Sequence, residues 1–280
     1  MPKKQNNTHE LVELFIKENE NAISENTQKT YLNVGKNIPF NILTTQSTVI
    51  KKLNDLVENP NSMALYLNVI ILIRRHNKEE TDKLVKFRNQ LKDKIINLRK
   101  EKLGDLKDNL PTKNDLLEKL NEMTGIRYII NYLFVNYGLR NKDINLKLVN
   151  KPPDNTENYL ILSPSKVELI INDYKTDESF GQKKMVVKDK KFIKELKAMN
   201  LKNDDYLLSR KDGSKLKIST FNERVKNLSI DKLGETTIFK VIIKQLLIDK
   251  NFSEIEKLVE SRGTSLATIM KSYNVFNSKK

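Results

Sequence analysis

Ile126-Arg-Tyr-Ile-Ile-Asn-Tyr-Leu-Phe-Val-Asn-Tyr-Gly138-Leu-Arg140-Asn-Lys-Asp143-Ile-Asn-Leu146 changes character partway along. From Ile126 to Tyr137 the apolar residues recur at helical spacing, with Arg127, Asn131 and Asn136 interrupting them. That pattern predicts a core helix, since a membrane span needs roughly 20 uninterrupted apolar residues. Gly138 stops it, and Asp143–Leu148 follows as a short polar-flanked segment. Beyond it the apolar runs are short and β-like: Tyr159–Ser163, Glu168–Ile171 and, after a Gly-containing turn, Lys184–Val187. They predict a small antiparallel sheet with hairpin connections. Helical spacing returns at Lys190–Met199, Ser219–Leu228, Thr237–Asp249, Ser253–Glu260 and Ser265–Tyr273. One further helix, Lys113–Met123, precedes the stretch.

Upstream, only helical periods appear. His9–Asn19 carries Leu11, Leu14 and Phe15. Ser24–Val34 opens on capping residues and sets Thr27 and Tyr31 four apart, on one face. Val49–Val57 follows, and Ser62–Arg75 opens at Ser62 after Pro60. Leu84–Leu103 is a long basic amphipathic helix. Gly104–Pro111 then breaks the pattern. The fold class expected is therefore mainly α with a small antiparallel sheet, in two domains, residues 1–107 and 108–280.

The 280 residues carry 51 Lys plus Arg against 36 Asp plus Glu, a formal charge of +15. The surplus is shared: residues 1–113 hold 20 basic and 14 acidic side chains, residues 114–280 hold 31 and 22. Both halves should attract a polyanion. The absence of cysteine excludes disulfides, thiolate metal sites and a cysteine nucleophile. His9 and His76 are the only histidines, so a His-rich metal centre or a local Ser-His-Asp triad lacks material. No apolar run is long enough for a membrane span, and residues 1–8 are polar without a signal-peptide core. A soluble intracellular protein is expected. Abundant Lys, Asn and Ile fit an AT-rich genome, such as that of a mobile element or large DNA virus.

Four segments, in this order, resemble the tyrosine recombinase (phage-type integrase) family. Tyr132 through Gly138-Leu-Arg140 to Asp143 and Leu146 resembles its first box. Asp173-Tyr-Lys175-Thr176, with Gly181 and Met185-Val-Val, resembles the β-hairpin carrying its lysine. Tyr206–Ser209, Lys211-Asp-Gly213 and Phe221-Asn-Glu-Arg224 resemble its middle stretch. Gly263-Thr-Ser-Leu-Ala-Thr268 leading to Tyr273 resembles the approach to its nucleophile. The resemblance implies a helical DNA core-binding domain followed by a catalytic domain. It implies cleavage and rejoining of double-stranded DNA through a 3′-phosphotyrosyl intermediate, without cofactor or metal. It also implies a homo-tetramer on two DNA sites, working at DNA in the nucleus, cytoplasm or a viral factory.

Chemistry accounts for the residue types. A tyrosine hydroxyl conserves the phosphate-ester energy as a covalent ester. Guanidinium forks match two nonbridging oxygens of the charged transition state, and a lysine can protonate the leaving 5′-oxygen. By resemblance Arg140 is the first clamping arginine, Lys175 the general acid (with Lys183 and Lys184 as alternatives) and Tyr273 the nucleophile. The family's second box, His-x-x-Arg, falls on Glu235–Leu247, which has neither residue. Phe239 or Lys240 takes the arginine's place there, and Thr236 or Thr237 the histidine's. Arg262 stands where a later His or Trp is usual. A relocated charge and an inactive, DNA-binding relative are both consistent with these departures. A type IB topoisomerase-like enzyme would share the nucleophile.

Overall fold

The computed structural model describes residues 8–106, 110–151 and 157–273, without the side chains of 99–106 and 270–273. The chain divides into two compact units, Met1–Lys107 and Asp108–Lys280.

The first unit is helical: α1 (Thr8–Glu18), α2 (Glu25–Asn37), α3 (Gln46–Leu56), α4 (Pro60–His76) and α5 (Asp82–Leu106). Ser24 and Thr45 cap α2 and α3 by accepting the amides of Thr27 and Thr48. Asn59 rather than Ser62 caps α4, accepting the amides of Asn61 and Ser62. Pro60 then occupies the first turn, where its missing N–H costs nothing. Leu11, Val12, Phe15, Val34, Leu53, Leu67 and Ile70 are among the residues that build its core. Arg74, 3% exposed, runs through that core and donates to the carbonyls of Ile42, Thr44 and Glu80 at 2.7, 2.7 and 2.9 Å. It ties the loops before α3 and α5 to α4. Thr27 and Tyr31 are half-buried on α2.

The second unit begins with α6 (Lys113–Glu122) and α7 (Gly125–Tyr137). Four strands follow: β1 (Leu146–Leu148), β2 (Asn158–Leu162), β3 (Val167–Ile171) and β4 (Lys183–Val187), with the single turn α8 (Asp177–Phe180) between the last two. Five helices close the unit: α9 (Lys190–Ala198), α10 (Ile218–Leu228), α11 (Glu235–Ile248), α12 (Phe252–Arg262) and α13 (Leu266–Tyr273). α6, α9, α10, α11 and α12 all pack on α7, whose largely apolar surface suits a helix with most of its faces covered, Arg127 and Asn136 staying exposed. Its buried Asn131 is satisfied by donating to the carbonyls of Arg127 and Leu228 and accepting the amide of Ile230.

The sheet runs β1-β2-β3-β4. β2, β3 and β4 pair antiparallel, with Ile171 opposite Lys183. β1 pairs parallel with β2, so the sheet is mixed rather than wholly antiparallel. The reason is local. β1 is three residues long, and its other edge is occupied by residues 204–207: the amides of Leu148 and Leu207 donate to Asp205 and Leu146, each at 2.8 Å. Among the described residues no helix is long and apolar enough to cross a membrane.

Candidate functional site

Two left-handed glycines bring the charged residues together. Gly138 ends α7 at φ 61°, and a Cβ there would meet the Phe239 ring at 2.7 Å. Gly263 ends α12 at φ 60°, and a Cβ there would meet Tyr174 at 2.7 Å and Lys183 at 2.9 Å. Only glycine combines that backbone conformation with that approach. The two helix ends thereby lie against each other and against the β3–β4 hairpin.

Arg140 and Arg262 then cross between the ends. Arg262 Nη1 donates to the carbonyl of Gly138 at 2.6 Å, and Arg140 Nη1 donates to the carbonyl of Arg262 at 2.5 Å. Ser261 Oγ donates to the carbonyl of Tyr137 at 2.5 Å. Lys183, at the start of β4, donates to the carbonyl of Ser261 at 3.0 Å and lies 3.5 Å from the Tyr174 ring centre. Asp143 sits beneath them fully buried. Its Oδ2 accepts the amide of Arg140 at 3.1 Å and lies 4.0 Å from Lys183 Nζ. Its Oδ1 has no hydrogen-bond partner among the described residues. Glu235, in the first turn of α11, lies 3.9 Å from Arg262 Nη2.

Burial dominates the electrostatics. It pushes the Lys183 ammonium down to about 8, with Asp143 opposing and Arg140 and Arg262 assisting the fall. Burial likewise raises Asp143, against the pull of Lys183, Arg140 and Arg262. Tyr174 is raised by burial, and by Asp177 and Asp143. Such a cluster can offer guanidinium forks to an oxyanion. Its amine titrates close to neutral pH.

The structure brings Arg140 and Arg262 into one cluster. Lys175 is exposed on the same hairpin, outside it, and Lys183 is the lysine that enters. Lys240 is half-buried on α11, one residue beyond the fully buried Phe239. Tyr273 is the last residue of α13, and its side chain lies outside those described. The Arg262 guanidinium carbon lies 4.2 Å from the centre of the Phe239 ring. Of the two positions that the resemblance sets in the arginine's place, Phe239 is thus covered by a guanidinium from α12, and Lys240 is half-buried.

Tyr174 and Thr176 lie inside the hairpin segment and Glu235 opens the second-box segment, but those motifs give none of the three a role, and they leave out Ser261. Their contacts join residues far apart in the chain, and no spacing reports them. Only the Gly after Arg262 hints at a helix end there. Among the described residues no group of three or more His, Cys, Asp or Glu side chains is placed to hold a metal ion.

No family model and no curated protein sequence matches the chain. Among solved structures, a recombinase named XerA is similar to it with a TM-score of 0.39 and 13% identity, over 97% of this chain and 94% of that one.

Proposed function

We propose that the chain binds duplex DNA and breaks and rejoins its strands through a covalent tyrosyl phosphate. The observation that supports this reading is the meeting of Arg140, Lys183 and Arg262 at the end of α12, immediately before α13 and Tyr273. In this reading Arg140 and Arg262 hold the nonbridging oxygens, and Arg262 supplies the charge absent from α11. Lys183 protonates the leaving oxygen, a task for which an amine titrating near 8 is well matched. Tyr273 attacks phosphorus. Lys175 and Lys240 supply charge around the site rather than at the reacting atoms. The basic residues of both units meet the DNA backbone and make binding steeply salt-dependent.

A nicked duplex whose cleaved fragment diffuses away traps the covalent adduct. Wild-type protein is expected to give a protein–DNA species resistant to denaturant, and Tyr273→Phe none. Tight DNA binding by the wild type with no adduct refutes strand transfer. That outcome favours the second reading, a DNA-binding protein without cleavage. Arg262 at 3% exposure and the Lys183 side chain at 9%, both bonded to backbone carbonyls, support this second reading.

A further inference from the structure

Three consecutive carbonyls at the end of α12 are taken by three side chains from elsewhere. Lys183 Nζ donates to Ser261 at 3.0 Å, Arg140 Nη1 to Arg262 at 2.5 Å and Thr176 Oγ1 to Gly263 at 2.6 Å. A helix leaves its last carbonyls without intrahelical partners and carries partial negative charge there. Cations are therefore good caps. Two of these caps are the groups assigned above to phosphate, and the turn they hold leads directly into α13.

An ionised oxyanion is a stronger acceptor than a peptide carbonyl, because its bond to Arg140 or Lys183 carries charge on both partners and the bond to a carbonyl carries it on the donor alone. An anion at the cluster therefore competes with the end of α12 for the same donors. We propose that the end of α12 is a latch held by the site's own cations. An oxyanion entering between Arg140 and Lys183 draws them off the carbonyls of Arg262 and Ser261 and loosens the turn into α13. The proposal rests on the reading that the cluster takes a phosphate-like oxyanion.

Coupling of this kind is reciprocal: if the anion loosens the turn, loosening the turn tightens the anion by the same factor. Thr176 allows a clean test, because it holds the turn without being one of the cations. Removing its hydroxyl in Thr176→Val takes away one net hydrogen bond, worth ~2–10-fold in an equilibrium.

The probe is tungstate, a tetrahedral divalent oxyanion, titrated calorimetrically into the full chain, with hydrogen exchange read at amides 264–269. Saturating tungstate is expected to speed exchange at those amides in the wild type. Thr176→Val is expected to exchange faster there without ligand and to bind tungstate ~2–10-fold more tightly. Thr176→Ser, which keeps the hydroxyl, restores both values. The latch is overturned if tungstate does not bind, if it leaves exchange at 264–269 unchanged or slower, or if Thr176→Val binds no more tightly. The wild-type exchange measurement alone decides the matter if the valine variant does not fold.

Strand transfer is read separately. An adduct on nicked DNA with no change in exchange overturns only the latch. Faster exchange with no adduct leaves the latch standing and refutes strand transfer.

Discussion

Lys183→Met should flatten the pH dependence of stability on the alkaline side. In the folded chain the ammonium titrates near 8, against an ordinary lysine value of 10.5. Below pH 8 both states carry the proton, and the folded state bears the full cost of burying it. Between 8 and 10.5 the folded state releases the proton while the unfolded state keeps it, so stability rises with pH. With ~1.4 kcal/mol for each tenfold step in proton affinity, the two values imply a gain of ~2 kcal/mol between pH 7.5 and 10. The Lys183 side chain is only 9% exposed, so solvent screening removes little of it. Methionine has no proton to lose and fills similar space. The assay is urea unfolding of both proteins at half-unit pH steps, followed by far-UV circular dichroism. The stability difference, wild type minus variant, should climb by ~2 kcal/mol across that range while other titrations cancel. Parallel curves would show that Lys183 titrates as an ordinary surface lysine, and would remove the basis for its role as proton donor.

Further perturbations address the scaffold. Gly263→Ala places a Cβ 2.7 Å from Tyr174 at a positive φ and should cost ~2–4 kcal/mol. Gly125→Ala, at φ 58° but in open space, should cost only ~1 kcal/mol, and equal losses in urea unfolding would contradict the close approach. Arg74→Met leaves the carbonyls of Ile42, Thr44 and Glu80 without their donor and should cost ~3 kcal/mol or more. A shift of the first unit's unfolding midpoint that is within error of wild type would show these carbonyls to be otherwise satisfied.

The helices were legible because their apolar residues recur at the right spacing, yet the spacing chose some wrong faces. Leu11, Leu14 and Phe15 read as one stripe, but Leu14 is 50% exposed, and α1 buries Leu11, Val12, Phe15 and Ile16 instead. The start of α4 was misread at Ser62, because both Asn59 and Ser62 have capping side chains and Pro60 lies between them. The parallel β1–β2 pair was not legible, since three residues carry too little pattern and residues 204–207 fix the other edge. At the site, Gly-Leu-Arg marks Arg140, and Arg262 is marked by standing where the resemblance sets a later His or Trp. Residue type alone does not separate Lys175, Lys183 and Lys184. Strand alternation does, once pairing with β3 sets the register: Lys183 enters the cluster and Lys184 stays exposed. Glu235 and Thr176 enter through contacts between distant parts of the chain, which no local pattern encodes.

The exchange of guanidiniums between the ends of α7 and α12 bears on how such a site changes over evolutionary time. Each helix end presents negative carbonyls in a buried setting, so positive side chains at 140, 183 and 262 are favoured by folding as well as by any anion they meet. Whatever the cluster binds, replacing one of the three would leave a carbonyl at a helix end without its donor. Their retention among relatives would therefore report the packing of the second unit as well as any chemistry at the cluster. Under the strand-transfer reading, Tyr273 is the position whose retention or loss would separate the two roles.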